Sequence, residues 1–169
     1  MTKHFTVFAA LIALTIPTAP IVAQDSAASA PTAPQQAKVD LTSDVLAIVT
    51  RTDASGKTTK SLEEPTEYTP GTQLSFGTNY VNKGSQPATN VTGTNPLSPA
   101  VQLAPDADPE LIVSVDGGKT FGTLRTLSVP TETGGKRPAT HADVTHVRWT
   151  IALIAPGDSG RVAFPVIIR

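Results

Sequence analysis

Val144-Thr145-His146-Val147-Arg148-Trp149-Thr150-Ile151-Ala152-Leu153, then Pro156-Gly157, then Val162-Ala163-Phe164-Pro165-Val166-Ile167-Ile168, is the stretch that decides the fold. Val147, Trp149, Ile151 and Leu153 share one parity, and Arg148 and Thr150 take the other. After the turn, Val162, Phe164, Val166 and Ile168 make a second apolar row. A period of two is the strand signature, so the reading predicts a final hairpin with both rows, Trp149 included, facing a core. Each such side chain stabilises by about 1.5–3 kcal/mol when buried rather than exposed.

The same pattern recurs upstream. Val45 to Val49 is an apolar run, and the turn residues Asp53-Ala54-Ser55-Gly56 lead into a polar strand from Lys57 to Leu62, together an edge hairpin. Pro70-Gly71 precedes Leu74, Phe76, Thr78 and Tyr80, which alternate with Ser75, Gly77 and Asn79 and line one face of a strand. Asn82-Lys83-Gly84-Ser85 turns the chain into a strand from Ala88 to Thr94. Leu111 to Val115 runs into Asp116-Gly117-Gly118, residues that tolerate the positive φ of a hairpin tip, and Thr120-Phe121 starts the return. Pro31, Pro34, Pro96, Pro99, Pro105, Pro109 and Pro130 break the remaining stretches, so no amphipathic helix competes. The fold class is all-β, an antiparallel sandwich.

Three parts are expected along the chain. Lys3 and His4 precede an apolar run from Phe5 to Ile16, roughly a dozen residues, which suits the core of a signal peptide and is too short to span a bilayer. Ile21-Val22-Ala23 offers the cleavage site, so residues 1–23 are read as a signal peptide and the mature chain as starting near Gln24. There is no twin-arginine pair and no cysteine to accept a lipid. Residues 24–38, rich in Ala, Ser, Pro and Gln, bury too little to offset ordering entropy and are read as a disordered spacer. Residues 39–169 form one domain, about 130 residues, long enough for a core without disulfides. The 13 Lys+Arg against 14 Asp+Glu leave no basic excess for nucleic acid. No second apolar segment follows to span a membrane.

At this point the residues carry a resemblance. The order Pro70-Gly71, Asn82-Lys83-Gly84, Ala88-Thr89-Asn90-Val91, Asn95-Pro96-Leu97, Ser114-Val115-Asp116-Gly117-Gly118, Val147-Arg148-Trp149, then Pro156-Gly157 with Gly160 and Phe164, resembles the bacterial DUF11 domain, a family that includes repeats of the large cysteine-rich outer-membrane protein. The likeness covers residues 40–169. It implies an immunoglobulin-like sandwich of about seven strands in an exported envelope or surface protein, with no catalytic residue to carry over. The chain departs from that family's envelope protein in having 0 cysteines, which excludes disulfide cross-linking into a network.

Several groups invite a chemical reading. Gly157-Asp158-Ser159-Gly160 is similar to the serine signature of trypsin-like proteases, with His141 and Asp143 as nominal partners. Those enzymes split His and Ser between two barrels, whereas here the serine sits in a turn between two core strands. His141, Asp143 and His146 are metal-ligand types, yet on a strand 141 and 143 share a face that 146 does not. His146 reads better as a histidine hydrogen-bonded to backbone. Asp106, Asp108 and Glu110 suggest calcium but lack the glycine and distal Glu of a calcium loop. Ser114-x-Asp116-x-Gly118-x-Thr120-Phe121 matches the Asp-box hairpin, which shapes a turn far from catalytic groups. Trp149, Tyr68, Tyr80 and Phe121 are candidates for a sugar platform, but Trp149 belongs to the inward row, which leaves Tyr68 as the aromatic to test.

The expectation is therefore an exported, non-catalytic module of the cell envelope, periplasmic or extracellular, with a structural or protein-interaction role. No catalytic, cofactor-binding or metal residue is assigned. The partner class is an envelope or surface protein, and a carbohydrate- or peptide-binding accessory domain is the alternative.

Overall fold

The computed structural model describes residues 37–169. The expected signal peptide at 1–23, and the spacer up to Gln36, lie outside the described residues. The described chain forms β1 (Val39–Thr52), β2 (Thr58–Glu63), β3 (Gln73–Asn82), β4 (Ala88–Pro96), β5 (Val101–Leu103), β6 (Ile112–Ser114), β7 (Gly122–Thr123), β8 (Ser128–Pro130), β9 (Lys136–Pro138), β10 (His146–Ile154) and β11 (Ser159–Ile168). Short 3-10 turns occupy Leu124–Thr126 and His141–Asp143. One sheet runs β2-β1-β3-β11-β5, the other β4-β10-β6-β7, and β8 and β9 make a separate ribbon. All pairings are antiparallel. The segments outnumber the expected seven because prolines and glycines cut the chain between Pro96 and Pro138 into strands of two or three residues.

The first hairpin follows its sequence signals. Asp53 Oδ1 accepts from the Ser55 and Lys57 amides at 2.8 and 3.0 Å, and Gly56 supplies φ 81°. β1 is longer than Val45–Val49 because its first half pairs along β3, from Val39 opposite Asn82 to Ala47 opposite Leu74.

The last two strands correct the sequence reading. β10 pairs with β4 and β6, whereas β11 pairs with β3 and β5, so they lie in opposite sheets and are joined by an arch, not a hairpin turn. Asp158 N donates to Ala155 O at 3.0 Å, Gly157 adopts φ 83°, and Gly157 N donates to Asn82 O at 2.9 Å. Stacking the two apolar rows face to face lets each bury the other, which a side-by-side hairpin does not.

The core draws on both sheets. Leu74, Phe164 and Val166 of the first meet Val113 and Val147 of the second, with Val101, Leu103, Ala107 and Val144 completing the buried cluster. Leu153, read as inward, is 59% exposed, and Ile154 is buried in its place. The inward parity changes where Ala152 passes Asn90, whose φ is 52°, and β4 changes with it, from half-buried Val91 to buried Ala88. Trp149 is half-buried and stands outside the central cluster. Its indole lies across Gly93, where a Cβ would fall 2.1 Å from the ring, and Nε1 donates to Asn95 Oδ1 at 2.9 Å.

Asn82, read as a turn residue, is fully buried and ties the sheets together. Its Nδ2 donates to Gln86 O at 2.8 Å and to Ile154 O on the facing sheet at 2.9 Å. Its Oδ1 accepts from Gly84 N at 3.0 Å and Lys38 N at 3.3 Å. Among the described residues no buried side-chain polar atom lacks a partner.

On the outer face of the first sheet, Arg161 crosses Gly77 to reach Asp44, Nε to Oδ2 at 3.0 Å. Elsewhere Arg137 grips Asp143 with two bonds of 2.7 Å. The Arg161 hydrogen bond holds the Asp44 carboxyl below its usual range, and the Arg137 hydrogen bond does the same for Asp143. With the folded pKa depressed, the unfolded chain takes up protons first. Their stabilisation is therefore complete above the ordinary carboxylate pKa of about 4 and is lost as pH falls below it. The urea midpoint is expected to be flat from about pH 7 to 5 and to drop below about 4. Asp44→Asn should make that acid limb shallower, with Asp143 and the other depressed carboxyls supplying the rest; an unchanged limb would remove this pair from the account.

Candidate functional site

A concave feature lined by both apolar and polar side chains lies beside β5 and β6. One wall is the segment after β5, where Pro105 and Pro109 lack the amide a sheet needs, so the chain turns twice, Ala107 N donating to Ala104 O and Leu111 N to Asp108 O. The other wall is the 3-10 turn at Leu124–Thr126 together with Ala139 and His141, drawn in by Ala139 N donating to Leu127 O at 3.0 Å. Between them is a cavity of about 430 Å³. Its floor is aliphatic core, Leu103, Ala107, Leu111, Val113 and Leu124, and no Trp, Tyr or Phe lines it. Asp108, Arg125 and His141 stand among the lining residues as its polar groups. Arg125 is already engaged: Nη1 pairs with Glu110 Oε1, and Nη2 donates to Oε2 at 3.2 Å.

The predicted chemical groups are not brought together elsewhere. Ser159 opens β11, while the turn at His141 packs beside the far end, where Arg169 donates from its amide to Ala100 O and from Nη2 to Ala142 O. The nine-residue run of β11 between them spans on the order of 30 Å at about 3.3 Å per residue, so no nucleophile-base pair forms. His141 to Asp143 is a 3-10 turn and not the strand expected. The Asp143 carboxylate closes it by accepting from Thr140 N at 2.8 Å and Thr140 Oγ1 at 2.7 Å. His146 is half-buried against Gly118, with Nδ1 3.1 Å from Thr145 Oγ1, so its partner is a hydroxyl and not backbone.

No family model matches this chain, and no curated protein or solved structure matches it.

The three loop carboxylates splay apart: Asp106 pairs with Lys60 at 2.9 Å, Glu110 with Arg125, and Asp108 Oδ1 accepts from Glu110 N at 2.9 Å. Among the described residues no group of three or more His, Cys, Asp or Glu is placed to hold a metal ion. The Asp116 hairpin is a closed turn: Asp116 accepts from Lys119 N, Thr120 N and Thr120 Oγ1, and Ser114 Oγ accepts from Gly118 N at 2.9 Å. Hydrogen bonds from Thr120 hold the Asp116 carboxyl far below its usual range.

The four aromatics form no common platform. Trp149 covers Gly93, Tyr80 covers Gly160, and Phe121 lies under the Arg148 guanidinium at 3.5 Å. Tyr68, 65% exposed, walls a separate apolar cavity of about 350 Å³ with Val45, Phe76 and Ile168. The cavity beside His141 was missed in the sequence; its available signals were Pro105 and Pro109 bracketing buried Ala107, and the Thr140-x-x-Asp143 capping pattern.

Proposed function

We propose that the protein is a non-catalytic β-sandwich module, exported to the periplasm or cell exterior, with a structural or protein-interaction role in the bacterial envelope. The resemblance to the immunoglobulin-like DUF11 domain and the signal-peptide pattern at 1–23 support the compartment. One structural observation carries the interaction role, namely the open side of the sandwich. Among the described residues β4 ends its sheet, and β1 has no neighbour before Ala47 on the side away from β3. Between these edges Leu41 and Val45, on the inward face of β1, remain 48% and 38% exposed. Free backbone edges beside uncovered apolar side chains are what an interacting partner covers. Among the described residues no helix is long and apolar enough to cross a membrane.

The test is a photo-crosslinking amino acid at Leu41 in the full chain in intact cells, with the same group at Lys57 as control. The proposal expects the protein in the exported fraction, with a discrete adduct from position 41 and none from 57. Retention in the cytoplasm contradicts the compartment, and equal adducts from both positions contradict the surface.

A further inference from the structure

We infer that the cavity between the Pro105–Leu111 segment and the Leu124–His141 wall binds an aliphatic ammonium: a short hydrocarbon body in the core-facing floor and a cationic head at the rim. The inference stands on the cavity alone and does not depend on the envelope reading. The volume of about 430 Å³ lies at the small end of the range for ligand sites, about 300–1,000 Å³. Leu103 and Val113, buried members of the main core, form its floor, so an apolar occupant extends the core and displaces water. No Trp, Tyr or Phe is in the lining, so the large stacking surfaces that sugars use are missing there.

Charge at the rim selects the head. Arg125 is paired with Glu110, which offsets the charge it would present to an anionic ligand. Asp108 takes one hydrogen bond, from Glu110 N, and among the described residues no cation pairs with it. The His141 ring has no hydrogen-bond partner among the described residues, and an imidazole ring nitrogen can accept a hydrogen bond. A carboxylate and an imidazole acceptor above an aliphatic floor fit an ammonium and repel a carboxylate. Two sources share this chemistry, a free alkylamine and the N-terminal ammonium of a peptide beginning with Leu.

The experiment titrates the full chain, at low salt, with butyl-, hexyl- and octylammonium, with octanoate, and with Leu-Ala-Ala carrying a free or an acetylated amine, reading amide chemical shifts. An alkylammonium, the free-amine peptide or both should bind saturably, with shifts centred on Leu103, Val113 and His141. Affinity should rise by about fourfold per methylene until the floor is filled. Asp108→Asn should weaken binding roughly fivefold or more, and Ala139→Trp should abolish it; Ala139→Leu serves if the larger side chain unfolds the protein. Binding by the alkylammonium series alone identifies a small amine as the ligand, and binding by the free-amine peptide alone identifies a chain terminus. The inference is overturned by octanoate binding as tightly as octylammonium, by shifts elsewhere, by binding that survives the plugged cavity, or by no saturable binding of either amine.

Discussion

Phe164→Ala is expected to lower the unfolding free energy by about 3–5 kcal/mol, the range for emptying a large core site. Phe164 is 4% exposed, sits at the middle of β11, and packs its ring against Phe76 at a centroid distance of 6.0 Å and an interplanar angle of 54°. The neighbours that would have to collapse into the void, Val113, Val147 and Val166, are held in three different strands, so relaxation is limited. Ala163, one residue earlier, is exposed on the opposite face. Ala163→Ser should therefore change stability by less than about 0.5 kcal/mol. Urea denaturation of both variants checks the pair. A midpoint for Phe164→Ala equal to that of the parent would mean that β11 does not face the core.

Asn82→Ala is expected to cost about 2–4 kcal/mol although it removes no apolar area, because it takes the donor from the buried Ile154 carbonyl, at roughly 1–3 kcal/mol, and removes three further part-buried hydrogen bonds. The groups are Ile154 O and Gln86 O, which lose a donor, and Gly84 N and Lys38 N, which lose an acceptor. Only an amide has both functions in this shape. Asn82→Asp should be at least as damaging at neutral pH, since it sets a carboxylate against two carbonyl oxygens without a proton to donate. That variant should recover as pH falls, against the trend of the parent, because a protonated carboxyl donates one bond and burial raises its pKa. Stability of Asn82→Asp that simply declines with acid would show that Asn82 is not the cross-sheet staple.

The residues make clear why some features were legible in the sequence and others were not. Alternation in Val147 to Ile151 and in Phe164 to Ile168 reports which side chains face inward, and that reading holds at Val147, Phe164 and Val166. Alternation does not report which strand lies alongside. Pro156-Gly157 suits a hairpin and an arch equally, and the choice is made by the Gly157 amide donating to Asn82 O and the Asn82 amide donating to Asp158 O, across 75 or more positions. Leu153 changed sides because of Asn90, a residue of the neighbouring strand. The tight turns at Asp53 and Asp116 were legible because their donors lie within four residues. The cavity was not, because its walls come from segments separated in sequence and meet only after the sheets stack.

The measurement that reaches the centre of this account is the pattern of inter-strand nuclear Overhauser contacts along β10 and β11. Two stacked sheets joined by an arch predict backbone contacts of Phe164 with Phe76 and of Trp149 with Gly93, and side-chain contacts from Phe164 to Val147 across the interior. Backbone contacts that pair β10 directly with β11 around Pro156-Gly157 would contradict it.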